Sequence, residues 1–206
     1  MNHQDSSAPA ALERRALVRA LREKGPEAET LCEGWKTRDL AVHIVARDSR
    51  PDTIFGQGLP VVGDKAARAY QQLEQLGFEA LLQRIKTGPP QWSPARLRAV
   101  DNVMNTVEFY VHTEDVLRAD PGADQRPRRS VADSVRTTLW NQASRTLFIP
   151  AARKARRRLT FLSPGVGAVT HGRTGDPMLI LEGAPEELVL WAFGRQEAAE
   201  VTMREP

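Results

Sequence analysis

From Leu12 to Phe148 the apolar residues recur at the three-to-four-residue spacing of helices; after Leu159 they fall into short runs broken by glycine and proline. Leu12, Ala16, Leu17, Ala20 and Leu21 give a first helix its apolar side, with Asp5, Ser6 or Ser7 as cap, Pro9 in the first turn and Gly25-Pro26 as the stop. A connection containing Cys32, Gly34 and Trp35 leads to a second helix from Arg38 to about Ser49, capped by the Thr37 hydroxyl and ended before Pro51. Residues 50 to 63 carry Pro51, Gly56, Gly58, Pro60 and Gly63 and read as a crossover loop that passes the end of the fold or covers a site.

Leu73, Leu76, Leu81, Leu82 and Ile85 mark a third helix from Asp64 to about Lys86, irregular at Gly77 and ended by Gly88-Pro89-Pro90. Trp92 and Pro94 belong to the connection into a helix from Leu97 to Arg118, stopped near Asp120-Pro121-Gly122. Val131, Val135, Leu139, Leu147 and Phe148 predict one more amphipathic helix, closed by Pro150. Beyond it, Leu159 to Leu162, Val166 to Thr170 and Met178 to Leu181 read as strands, Pro185 to Phe193 as a helix, and Ala198 to Met203 as a last edge strand. The pattern predicts a mainly α protein: a helical domain over 1–150 and a small C-terminal α+β domain over 151–206.

The chemistry concentrates on the helix from Leu97 to Arg118. Glu108 and His112 are four residues apart and stand on one face, close enough to share a metal ion. Met104, Glu108, Val111, His112 and Asp115 form one stripe, with Val103, Val107 and Tyr110 beside it. If the stripe faces inward, a buried carboxylate is costly unless something neutralises it; a metal would do so, and so would an arginine. On the second helix Leu40, His43, Ile44 and Arg47 share a face, so His43 points inward, either as a hydrogen-bonded core histidine or as a ligand.

Composition narrows these choices. The chain has 206 residues and one cysteine, Cys32. An internal disulfide and a cysteine-built zinc site are therefore excluded, and any metal rests on histidine and carboxylate. No apolar span approaches the length of a membrane helix, and residues 1 to 15 carry no signal-peptide pattern; a soluble, cytoplasmic protein is expected. The net charge of +3 is concentrated at Arg153, Lys154, Arg156, Arg157 and Arg158, preceded by Arg126, Arg128 and Arg129. No nucleic-acid-binding pattern accompanies them, and the cluster reads as a solvated junction between two domains.

Gly34-Trp35-x-Thr37-x-Asp39-Leu40-x-x-His43, followed by Glu108-x-x-x-His112-x-x-Asp115, resembles the metal-binding domain of the mycothiol-dependent maleylpyruvate isomerase family, within the DinB-like superfamily. Leu188-x-Leu190-Trp191-x-x-Gly194-Arg195 is similar to the small C-terminal domain of those proteins. The resemblance implies a DinB-like four-helix bundle holding a divalent metal, zinc first and nickel among the alternatives, through His43, Glu108 and His112. It implies mycothiol or a similar low-molecular-weight thiol as cosubstrate and a small electrophile as substrate, in a transferase or isomerase reaction. Asp115 and Arg47 become candidates for orienting the ligands, and Arg195 and Arg173 for binding substrate. A metal-binding or stress-response module without turnover is the competing expectation. From the residues alone, Cys32 reads as packing before a redox-active thiol near the site, and His171 as a solvated loop residue before a substrate contact.

Overall fold

A computed structural model describes residues 8–49, 68, 70–88 and 98–206, and the side chains of all of these but 49 and 98–104. It is mainly helical with a four-stranded sheet near the end of the chain. The expectations for Asp5 to Ser7, for the crossover at 50–63, for Trp92 and Pro94, and for the side chains of Val103 and Met104 lie outside the described residues. No helix among the described residues is long and apolar enough to cross a membrane.

The chain divides into two compact units, Met1–Arg126 and Pro127–Pro206. The division falls ahead of the expected one at 150, so the amphipathic helix after Val131 belongs with the second unit. Its apolar stripe was visible in the sequence, but a stripe does not say which core it serves.

In the first unit α1 (Pro9–Lys24) packs against α3 (Phe78–Thr87) and α4 (Arg98–Leu117), and α2 (Thr37–Ser49) packs against α3. Leu17, Leu21, Leu40, Ile44, Leu81, Leu82 and Ile85 are fully buried between them, each worth about 1.5–3 kcal/mol of removal from water. Residues 70–74 are helical and the third segment breaks at Gly77, which serves as the N-cap of α3. Thr37 does not cap α2. Its hydroxyl donates to the Gly25 carbonyl, and the Asp39 carboxylate accepts the Lys36 N–H at 2.9 Å instead, half of a capping box one residue earlier.

One guanidinium ties the unit together. Arg14 on α1 pairs with Asp48 on α2, donates to the Ile85 carbonyl at the end of α3 at 2.9 Å, and lies over the Phe109 ring of α4 at 4.3 Å. From Asn105 on, α4 is buried on nearly every side although much of it is polar, with Asn105, Thr106, Thr113, Glu114 and Asp115 all inside. Glu114 and Arg118 satisfy each other there at 2.6 Å.

In the second unit α5 (Asp133–Thr146) and α6 (Phe148–Ala155) meet at Leu147. Pro150 does not close the first of these helices; it sits in the first turn of the next, where its missing N–H is not needed. The strands β1 (Arg158–Ser163), β2 (Gly167–His171), β3 (Met178–Glu182) and β4 (Thr202–Arg204) form a sheet of order β2-β1-β3-β4. The β1–β3 pair is parallel and the outer pairs are antiparallel. A helix α7 (Pro185–Ala192) joins β3 to β4.

Aromatic rings hold this unit. Phe148 and Phe161 stack at 3.8 Å, with Trp140 edge-on to the first and Trp191 edge-on to the second. His171 is on β2 rather than in a solvated loop, its Nε2 bonded to the Ser144 carbonyl at 3.1 Å. At Gly172 an added Cβ would come within 2.7 Å of the Arg157 backbone, so only glycine fits there. The Arg153–Arg158 cluster lies inside this unit, past the division of the chain, with Arg153, Lys154 and Arg156 exposed.

Candidate metal centre

On the otherwise buried α2 the partly exposed positions between Leu40 and Asp48 are His43 and Arg47; on α4 between Asn105 and Val116 they are Glu108 and His112. Both pairs are spaced i, i+4, so each helix presents two adjacent polar side chains where the core opens toward solvent. His43 Nε2 lies 3.4 Å and His112 Nε2 3.2 Å from the same oxygen, Glu108 Oε1. The two imidazole rings meet edge to face at 5.5 Å between centroids. One ligand atom from each of the three residues falls within 4.8 Å of the other two.

These spacings are long for a hydrogen-bonded ion pair and are also compatible with a metal. Charge-assisted N–H···O bonds run at about 2.7–2.9 Å. Donor atoms at the corners of a tetrahedron with zinc-type bonds lie roughly 3.3–3.4 Å apart, close to the 3.2 and 3.4 Å found here. The donor set of two imidazoles and one carboxylate is also one that zinc, nickel, iron and manganese accept.

The surroundings set the charge of the group. Burial works to raise the Glu108 carboxyl, but hydrogen bonds from His112 and His43 and the nearby Arg47 charge win and hold it well below the usual carboxylate range. Arg47 Nε is 3.5 Å from Glu108 Oε1, and its Nη1 donates to the Asn105 side-chain oxygen. For His112, burial works to lower the pKa, while hydrogen bonds to Asp115, Cys32 and Glu108 raise it well above the ordinary imidazole value.

A second set of donors shares His112 through its other nitrogen. Nδ1 lies 2.9 Å from Asp115 Oδ2, and the Cys32 thiol donates to that same oxygen at 3.2 Å. Cys32, His112 and Asp115 form another group of candidate ligand atoms, but 2.9 Å is a hydrogen-bond length and shorter than a tetrahedral edge. Asp115 therefore holds the proton on Nδ1 and leaves Nε2 facing His43 and Glu108.

Of the residues singled out in the sequence, His43, Arg47, Glu108, His112 and Asp115 come together in the first unit. Arg195 and Arg173 are in the second. Arg195 Nη1 donates to the Phe193 carbonyl at 2.9 Å, and the Arg173 backbone N–H to Asp176 at 3.2 Å. Sequence reasoning quoted Trp35 in the motif without giving it a role, although its ring lies 5.1 Å from that of His43, and put packing first for Cys32. Both sit in a loop, where no periodicity signals direction; the available sign was that Trp35 stands in the motif and Cys32 two residues before it.

No family model matches the chain, and no curated protein sequence matches it. Among solved structures, the crystal structure of the mycothiol-dependent maleylpyruvate isomerase is similar at a TM-score of 0.61 and 16% identity, over 96% of this chain and 93% of that one. The likeness is one of fold. A histidine-to-alanine mutant of that enzyme is similar at a TM-score of 0.52, with the same identity and coverage.

Proposed function

We propose that the first unit is a DinB-like four-helix bundle that holds a divalent metal, zinc before nickel, through His43 Nε2, Glu108 and His112 Nε2. The protein uses it as a thiol-dependent transferase or isomerase on a small electrophile, with mycothiol or a related low-molecular-weight thiol as cosubstrate. The observation that carries this reading is that one donor atom from each of three residues, on two helices, gathers within 4.8 Å, with both imidazole nitrogens 3.2–3.4 Å from one Glu108 oxygen, close to a tetrahedral edge. The fold likeness to a mycothiol-dependent isomerase supports the thiol. A reducing cytoplasm, where such thiols are held, accords with a chain whose single cysteine is free.

A divalent cation with three protein ligands would keep a position for a guest and lower the pKa of a thiol placed there. The chain's own residues prepare that position. Asp115 engages Nδ1 of His112, so that Nε2 is the nitrogen left for a metal, which would take the place of its proton. Glu108 supplies one negative charge, leaving the group a net positive one. Arg47, braced by Asn105 and one helical turn beyond His43, orients the Glu108 carboxylate through the same oxygen, 3.5 Å away.

One observation favours a second reading. Arg47 Nε stands 3.5 Å from Glu108 Oε1, so a cationic side chain already neutralises the carboxylate, and the cluster would then be an ion network within the fold. Metal analysis of the purified chain separates the two. One equivalent of metal in the wild type, and none in His43→Ala and His112→Ala, is the expected result; normal metal content in either variant sinks the shared site. Turnover is tested by conjugation or isomerisation of a panel of electrophiles with mycothiol. If metal binds but no electrophile reacts, the protein is a metal-binding module without turnover.

A further inference from the structure

The loop between α1 and α2 is held in place by bonds of its own. Thr30 Oγ1 donates to the Trp35 carbonyl at 2.8 Å and accepts the Cys32 N–H at 3.2 Å. The Trp35 N–H closes a turn onto the Cys32 carbonyl at 2.9 Å, with Gly34 in the left-handed region at φ 75°. Glu29 and Lys36 make a bridge at the loop's base. The Leu31 N–H then anchors the whole loop to α4 by donating to the backbone carbonyl of Asp115 at 3.0 Å. A loop tied both to itself and to α4 has little freedom to choose where its side chains point.

Two of those side chains reach the two histidines. From one end of the turn, the Cys32 thiol donates to Asp115 Oδ2 at 3.2 Å and lies 3.9 Å from His112 Nδ1. From the other end, the Trp35 ring lies against His43, centroids 5.1 Å apart and planes tilted by 53°. The oxygen that accepts the thiol is the one bonded to His112 Nδ1. A carboxylate oxygen that accepts two donors is pinned more firmly than one that accepts a single donor, and the pinning passes to the imidazole.

We propose that loop 30–36 is a positioning element for the metal centre, in which Cys32 steadies His112 through Asp115 while Trp35 braces the ring of His43. Cys32 and Trp35 touch neither metal nor substrate in this role; they set the direction of two ligand nitrogens that belong to different helices. A single loop thereby fixes the two imidazoles relative to each other, which the helices alone leave to two independent side-chain torsions. The inference rests on the metal reading above and adds to it the residues that hold the ligands in register.

The test is cobalt(II) loaded into the full-length chain, read by its visible absorption and by competition with a chelator. Cys32→Ala removes the donor to Asp115 and should weaken cobalt binding about tenfold, the lower end of the range for residues behind a ligand, and shift the visible bands. Cys32→Ser keeps a donor and should recover most of the affinity. Trp35→Leu should weaken binding and alter the bands, and Trp35→Phe should do so less. Thermal melting followed by circular dichroism establishes that each variant is folded; an unchanged melt with changed cobalt bands is the signature expected of positioning. Wild-type chain that takes up no cobalt overturns the metal reading and this one with it. Normal uptake by the wild type, with Cys32→Ala and Trp35→Leu indistinguishable from it in affinity and spectrum, overturns this inference alone.

Discussion

The first unit buries charge in several places, and two of them are built differently. At Arg14 and Asp48 the side chains are 10% and 5% exposed, and the guanidinium is matched on every side we can name: the carboxylate, the Ile85 carbonyl and the Phe109 face. At His43, Glu108 and His112 the side chains are 20%, 21% and 11% exposed. There the nitrogens stand farther from the shared oxygen than charge-assisted hydrogen bonds do. The first cluster is closed and satisfied by the fold. The second is more open to solvent, with both imidazole nitrogens set around one carboxylate oxygen. Burial of charge by itself thus identifies neither; access and spacing separate a structural cluster from a candidate site.

The largest effect expected from breaking this contrast is at Arg14. Arg14→Met takes the closely paired guanidinium from the buried Asp48 carboxylate and leaves Arg47 Nη1, 3.8 Å from Asp48 Oδ1, as the more distant cation; the fold should lose about 3 kcal/mol, read as a lower urea midpoint. Replacing both partners in Arg14→Met/Asp48→Leu should recover much of the loss, because the buried carboxylate is then gone. A single variant as stable as the wild type would remove Arg14 from its place at the centre of the helices.

Added metal sharpens the contrast. Zinc at a hundred times its dissociation constant should stabilise the wild type by about 2.7 kcal/mol, since only the folded chain presents the three donors together. Arg14→Met, though less stable, should keep that increment in full. Glu108→Gln, which keeps the side chain's shape and removes its charge, should lose the increment. The measurement is the denaturation midpoint of each protein with and without zinc. An equal zinc increment in Glu108→Gln and the wild type would mean that the ion binds elsewhere.

The sequence carried these two clusters unequally. Glu108 and His112 were legible because their relation is local: four residues on one helix decide a shared face. His43 needed a partner helix, and only the resemblance of its motif supplied one; taken alone it read first as a core histidine. Arg14 was invisible, since an arginine among Leu12, Ala16 and Leu17 looks like the edge of an apolar stripe until three other helices close on it. The roles of Cys32 and Trp35 were missed for a related reason, as the bonds that aim them run from a loop to a helix more than eighty residues away in the case of Leu31 and Asp115. Around Leu147 the periodicity continued through a change of helix, so Pro150 passed for a terminator when it opens α6.

The smallest effect belongs to a third charged group, at the surface of the same unit, and it completes the series. Asp120 pairs with Lys24 and with Arg126, the latter at 2.9 Å. Hydrogen bonds from Lys24 and then Arg126 hold its carboxyl below the ordinary value, against a smaller opposing effect of burial. Because the folded pKa is the lower one, the stabilisation is fully present above the unfolded aspartate value of about 3.9 and is lost as pH falls through the depressed folded value. Solvent screens the pair, so the loss should stay below about 1 kcal/mol and shrink further in high salt. Asp120→Asn should flatten this part of the stability profile between neutral and acid pH without altering zinc uptake. An unchanged acid profile in that variant would show that the pairing contributes nothing, leaving charge to act on this unit through its buried groups.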